Sequence, residues 1–351
     1  MNRSTTPFFG RSYKLTVFPA TDPDNQIVIS GDEWEPDALR FSFEIEQVAY
    51  AKGGSFWYAE IDIYNCDGTI AYGPSAGKTL IADLLTENSK VRVQAGYQAD
   101  GEPIAIWEGI LYQALWERVN VTDFKLTLRC TMARGLPNFV KANIDPYKTL
   151  AEQVKKIAES SITPIGVTDS QLHVLGGPRL ARSKTVYGNP NRYLSQVAAS
   201  AQVPNWFTAD NFSLASLQGG AQLYYAPPVL GGPAPTREAD GITRSLIGSP
   251  QQTMQGIQFR VLLDSRLQII SPLPVVSVDR RYIRQQAIKP PVSGFMPRKL
   301  DNQDSYYLVG VRHVGDTRGN AWYSEATCWS LITDVKQLFL GTPSPDIGEG
   351  M

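Results

Sequence analysis

A chain of 351 residues is longer than one ordinary hydrophobic core supports, so two or three domains are expected. Its 42% hydrophobic and 19% charged residues are those of a globular protein. Lys plus Arg (33) nearly cancels Asp plus Glu (34), so there is no global field to draw in nucleic acid or an anionic membrane, and any DNA contact has to be local.

The N-terminus, MNRSTTPFFGR, lacks the apolar run of a signal peptide, and no segment reaches the ~18 uninterrupted apolar residues of a membrane span. The sequence therefore predicts a protein made and folded in a cytoplasm. Strands come first: Leu15 and Val17, then residues 27–29. Leu39, Phe41, Phe43 and Ile45 alternate with Arg40, Ser42 and Glu44, the period of a half-buried strand. Residues 56–64 continue the pattern. Leu80, Ile81, Leu84 and Leu85 have helical spacing, with Ser75 as N-cap.

The stretch from Val91 to Cys130 is the most regular. Val91, Val93 and Ala95 alternate with Arg92 and Gln94, QADGEP turns, residues 104–116 are apolar almost throughout, and Asn120 with Asp123 marks the next reversal. Phe124, Leu126, Leu128 and Cys130 then alternate with Lys125, Thr127 and Arg129. Three antiparallel strands in sequence are predicted here.

The period then changes. Asp145 as N-cap and Pro146 at the first helical position introduce a stripe of Tyr147, Leu150, Ala151, Val154, Ile157 and Ala158. Asn189 and Pro190 repeat the arrangement before Leu194, Val197, Ala198 and Ala201, and WFTADNFSL reads as a hairpin. APPVLGGPAPTREADG is a linker, after which strands return at Ile257, Phe259 and Val261, at residues 275–278, and in a closing hairpin over 306–314 and 322–329.

The predicted fold class is mainly β with an α/β insert: two small β-barrel domains flanking a small α/β domain. The expected boundaries are 1–135 for the N-terminal barrel with one inserted helix, 136–220 for the α/β domain, 221–235 for the Pro/Gly-rich linker, 236–340 for the second barrel and 341–351 for a flexible tail.

Chemistry is sparse. GPSAGKT resembles a phosphate-binding loop, but Gly73 and Gly77 are separated by three residues where that loop needs four, so a loop leading into a helix with Lys78 in its first turn is expected. Cys66, Cys130 and Cys328 are odd in number and far apart, which gives no disulfide framework and no metal spacing, and buried thiols are expected. His173 and His313 lack ligand partners at zinc spacing. Asp316 and Ser324 lie near His313, but no G-x-S-x-G elbow is present, so residues 315–319 read as a hairpin turn. Glu44 with Glu46 and Glu60 with Asp62 share a strand face that reads as wet exterior. A basic cluster of Arg280, Arg281, Arg284, Lys289, Arg298 and Lys299 surrounds a long polar loop and could meet DNA phosphates or an acidic protein. No enzyme activity, cofactor or metal is expected.

Consecutive apolar residues on an antiparallel strand put bulk on both faces, as at Phe56, Trp57 and Tyr58 and around Trp107. The second face needs a cover, and a neighbouring subunit is the expected one. Phe56, Trp57, Tyr58, Trp107 and Trp322 are thus the candidate interface residues, and Arg280, Arg281, Arg284, Arg298 and Lys299 a candidate partner-contacting loop.

IDIYN, VRVQAGYQ, IAIWEGIL and FKLTLRC, taken in order, resemble the N-terminal barrel of baseplate hub proteins from long-tailed bacteriophages, including the Mu-like and other contractile-tailed groups. The matching residues are Ile63 and Asn65, then Val91, Val93, Ala95, Gly96 and Tyr97, then Gly109 and Ile110. Gly248, Pro250 and Gly256, and the closing hairpin with Val309, Val311, His313, Gly315, Asp316 and Trp322, resemble the family's last domain; the helix 190–201 followed by Trp206 resembles its insert. The resemblance covers most of residues 40–340 and departs at GPSAGKTLIADLLTEN and at the long basic loop.

It implies a virion protein of the tail baseplate, assembled in the host cytoplasm. That protein would be a homotrimer whose two barrels per subunit imitate sixfold symmetry, joining the tail tube protein to the central spike protein and passing DNA without specific binding. The alternatives from other classes are a tail-associated cell-wall hydrolase, a nucleotide-binding assembly factor and the hub region of a secretion-system spike.

Overall fold

The structure, a computed structural model, describes residues 8–24, 26–49, 56–66, 69–71, 78–80, 85–132, 138–177, 179–208, 211–229, 241–253, 256–284 and 305–330. The chain is mainly β with a small helical part, as its periodicities predict.

The first unit is built from β1 (Arg11–Phe18), β2 (Ile27–Asp32), β3 (Phe41–Val48), β4 (Phe56–Tyr64), a small hairpin of β5 (Thr69–Ala71) and β6 (Lys78–Leu80), then β7 (Lys90–Tyr97), β8 (Ala105–Arg118) and β9 (Phe124–Thr131). Its main path runs β3-β4-β9-β8-β7-β1-β2, every step antiparallel. Alternation decides which face is dry: Phe41, Phe43 and Ile45 are buried while Ser42, Glu44 and Glu46 point outward. The sheet curls until Tyr13 of β1 stacks flat on Phe41 of β3, ring centroids 4.4 Å apart, and donates its hydroxyl to the Leu39 carbonyl. Strand pairing does not close the curl, because both edges of β3 are taken, one by β4 and the other by a strand from the far end of the chain.

The insert comprises β10 (Val140–Ile144), α1 (Leu150–Glu159), β11 (Gly166–Val167), β12 (Lys184–Gly188), α2 (Pro190–Ser200), β13 (Asn205–Thr208) and β14 (Asn211–Leu214). The apolar stripes of the two helices and the inner faces of these short strands make one hydrophobic cluster centred on Val154, Ile157, Leu194 and Phe212. Helix α2 begins where predicted, with the Asn189 side chain accepting from the Asn191 N–H and Pro190 in the first turn. Helix α1 does not. It starts one turn later, capped by Thr149 in a reciprocal box with Glu152, while Tyr147 is turned into the left-handed region at φ 66°. The helix expected near residues 80–85 also differs: Lys78–Leu80 is a strand paired with Thr69–Ala71, and Ser75 and residues 81–84 lie outside the described residues.

The second unit contains β15 (Gln222–Ala226), β16 (Ile242–Arg244), β17 (Leu246–Gln252), β18 (Gly256–Leu262), β19 (Val275–Val278), β20 (Ser305–Asp316) and β21 (Trp322–Ser330). β20 is its organising strand. One edge pairs with β21, which leads on to β18 and β17; the other pairs at its start with β19 and, from Gly310 to Asp316, with β3 of the first unit. The two units are therefore one sheet of 14 strands.

Packing follows the pairing. The first core takes in Leu263 and Trp322 of the second unit, and the second core takes in Ala49 and Trp57 of the first with Trp206 of the insert. Close approach at the seam depends on Gly315, where a Cβ would sit 2.3 Å from the Phe43 ring. No helix among the described residues is long and apolar enough to cross a membrane.

Candidate assembly surfaces

The indoles expected to need a neighbour are covered by their own chain. Trp57, Trp107 and Trp322 are 6%, 2% and 4% exposed, which corrects the prediction that another subunit shields them. Trp57 stacks on Trp206 of the insert, centroids 6.1 Å apart. Trp107 lies over Gly109 in the first core, where a Cβ would come within 2.4 Å of both the indole and the Thr131 carbonyl. Trp322 meets Phe43 edge-on at 5.5 Å, with the Arg11 guanidinium over its face. Trp57 and Trp322 sit where two parts of the fold meet and Trp107 lies within the first core, so bulk on the second face of the strand is absorbed within the subunit. Tyr58 is half-buried and points the other way, donating its hydroxyl to Glu60 at 2.7 Å. The Phe56 side chain lies outside the described residues.

The opposite face of the sheet carries charge in rows. Arg260 reaches Glu325 at 3.0 Å, Glu325 accepts from Arg312 at 3.1 Å, and Arg312 pairs with Glu44 at 2.8 Å, so the row crosses from β18 through β21 and β20 into β3. Glu44 faces Glu60 in register, and Glu60 pairs with Arg129 of β9 at 3.0 Å, which relieves the like-charge contact. The Tyr58 hydroxyl, followed by Arg129, holds the Glu60 carboxyl below the usual range. Asp62 is likewise engaged by Thr127 and Lys125. Each exposed pair contributes about 0.2–1 kcal/mol. Together they hold the register across the seam and leave a wet, nearly balanced wall.

His313, on β20, is wholly buried. Its Nε2 lies 3.0 Å from the Leu267 carbonyl, which can only accept, so Nε2 carries the proton and Nδ1 accepts from the Ser324 hydroxyl at 2.8 Å. Ser324 Oγ in turn accepts the Asp264 N–H at 3.1 Å. The Asp264 carboxylate, fully buried, is clamped by Arg266 at 2.6 Å and by the Tyr225 hydroxyl at 2.9 Å. Burial pulls the His313 pKa down to about 4, against smaller upward pulls from Leu267 and Asp264. The Ser-His-Asp proximity is thus a packed structural network, with all three residues fully buried.

Of the basic cluster, Arg280 and Arg281 fall in a single turn after β19, and Arg281 donates to Asp279 at 2.7 Å. Arg284 is exposed, with its main chain clamped to the Pro250 carbonyl at 2.7 Å. Lys289, Arg298 and Lys299 lie outside the described residues, as do Gly73 and Gly77. Among the described residues no group of three or more His, Cys, Asp or Glu could hold a metal ion. All three cysteines are buried free thiols, and burial pushes the thiols of Cys130 and Cys328 upward.

Two surface features escape the sequence reading. β8 pairs with β7 only as far as Ile110; a bulge between Leu111 and Gln113 then releases it, and Gln113 to Arg118 pair with β9 alone. The resulting arm exposes Tyr112, Trp116, Val119, Val121 and Phe124, with Val121 82% exposed at its tip. The arm is stiff. Asn120 Oδ1 accepts from the N–H groups of Thr122 and Asp123 at 2.8 Å, Asn65 bonds both Asp123 and the Phe124 N–H at 3.0 Å, and Trp116 stacks on Phe124. The second feature is a cleft of about 340 Å³ at the seam, between the start of β1 and the β17-β18-β21 face.

No family model matches the chain, and no curated protein matches it by sequence. Among solved structures it is similar to the tail protein from Neisseria meningitidis MC58, at 11% identity and a TM-score of 0.47 over 91% of this chain and 97% of that one. It is also similar to the E. coli c3393 protein, described as a component of the type VI secretion system with structural similarity to the T4 bacteriophage tail proteins gp27 and gp5; there the identity is 10% and the TM-score 0.46, over 86% of this chain and 76% of that one. Prophage tail protein gp18 from Listeria monocytogenes EGD-e is similar at 8% identity and a TM-score of 0.40, over 93% and 97% of the two chains.

Proposed function

We propose that the chain is a structural subunit of a phage tail baseplate hub, a homotrimeric ring in which each copy supplies two β units. Six such units match a sixfold tail tube on one side, and three copies match a threefold spike on the other. The observation that carries this reading is the β3–β20 pairing, because it sets two curled β units side by side in one sheet through main-chain hydrogen bonds.

One strand edge is consistent with it: among the described residues β2 pairs only with β1, and the outer half of β8 pairs only with β9. An open edge is a template for pairing with a neighbouring chain. The row of paired charges from Arg260 to Glu44 offers DNA a wall with little net attraction, suited to passage rather than retention. Residues 91–97 lie on β7 of the first unit and residues 309–316 on β20 of the second.

The test is the mass of the purified protein in solution. A particle of three chains supports the hub, while a stable monomer with turnover on peptidoglycan overturns it.

A further inference from the structure

We infer that the β20–β21 hairpin is the clasp of the first unit: its tip bridges the two lips of the curled sheet, so that unit closes only when residues 305–330 are in place. A subunit becomes competent to assemble once its late strands have folded back onto its early ones. The clasp acts within one subunit and does not rest on the ring reading. The lips are the ends of the path β3-β4-β9-β8-β7-β1-β2, and among the described residues no strand pairing joins β3 to β1 or β2.

The tip holds both lips. On the β3 side, buried Thr317 makes a reciprocal pair with Phe41: its N–H donates to the Phe41 carbonyl at 2.9 Å, and its hydroxyl oxygen accepts the Phe41 N–H at 3.0 Å. Arg40 donates to the two carboxylate oxygens of Asp316 at 3.2 and 2.7 Å. On the other lip, Arg11 of β1 donates to the main-chain carbonyls of Asp316 and Gly319. Arg318 mirrors it from the hairpin, donating to the carbonyls of Glu33, Glu35 and Ala38 just past β2. Each side thus spends a guanidinium on the other side's main chain, and such charge-assisted bonds are stronger than neutral ones.

The turn itself is shaped for this. Asp316 Oδ1 also accepts the Arg318 N–H at 3.0 Å, and Gly319 leaves the carboxylate its space, since a Cβ there would sit 2.5 Å from Oδ2. Burial alone would raise the Asp316 carboxyl, but Arg40 and the turn N–H groups hold it below the usual range. Without the hairpin, β3 loses its partner over Gly310 to Asp316, and the first core loses Trp322 from its place against Phe43. An unpaired edge beside an opened core invites wrong pairing, which the clasp prevents.

Hydrogen exchange on the full chain tests the clasp. In the wild type, raising denaturant stepwise should expose Arg11–Phe18 and Phe41–Val48 no later than residues 305–330. Protection that persists in those two strands after the hairpin has opened overturns the inference, because the first unit then closes by itself. Arg40→Ala combined with Arg318→Ala, both at exposed positions, should speed exchange in both strands about tenfold or more. Arg260→Ala, which removes an ion pair of the same sheet away from the tip, should leave them unchanged. Faster exchange confined to residues 316–321 in the double variant contradicts the clasp, as does an equal effect of Arg260→Ala on the two strands.

Discussion

Replacing His313 by glutamine removes the one buried imidazole of the β20–β21 network while keeping a donor for the Leu267 carbonyl and an acceptor for Ser324. The consequence is in the pH dependence of stability. The unfolded chain takes up a proton at this histidine as pH falls through its ordinary 6.5, whereas the folded protein resists until about 4. Between those values the unfolded state binds the extra proton, so stability falls as pH falls, and below about 4 this group adds no further loss. The gap, at about 1.36 kcal/mol per pH unit, is worth about 3 kcal/mol. Urea unfolding followed by tryptophan fluorescence, from about pH 7 to about pH 4, measures it. The wild type should lose about 3 kcal/mol more than His313→Gln over that range, since the carboxylates titrate in both proteins. If the difference between the two stays flat with pH, His313 is not held neutral by burial and the network is misdescribed.

Further outcomes follow from packing and capping. Trp57→Ala should destabilise by about 3–5 kcal/mol by opening a cavity against Trp206, and hydrogen exchange should show the insert loosening with it. Thr149→Ala should cost about 1 kcal/mol in urea melts and fray the first turn of α1, because the Glu152 N–H loses the Thr149 hydroxyl that accepts it. The native protein should resist a thiol reagent at mildly alkaline pH until denatured, with Cys66, Cys130 and Cys328 appearing together on unfolding.

Legibility in the sequence tracked the range of the interaction. Residues 91–130 and the α2 cap were readable because alternation and the Asn189-Pro190 pair act within a few residues. The start of α1 was readable too, in the Thr149-x-x-Glu152 box, but Asp145-Pro146 supplied a competing local signal that Tyr147 breaks. The β3–β20 seam was not readable, since nothing near Phe43 specifies Gly315 as its partner. The indoles failed for the same reason: the sequence shows that Trp57 needs a cover, and its cover, Trp206, is remote in the chain. The arm left one trace, the excess length of the run 104–116 over the strand 91–97 that precedes it.

The central claim is that two β units of each chain, joined at β3–β20, repeat around a ring that bridges tube and spike. A density map of an assembled tail particle tests it most directly. Three copies forming a single ring of six β units around an open channel, between a sixfold tube and a threefold spike, is the predicted result. The chain found as six copies, or outside the tail axis, would contradict it.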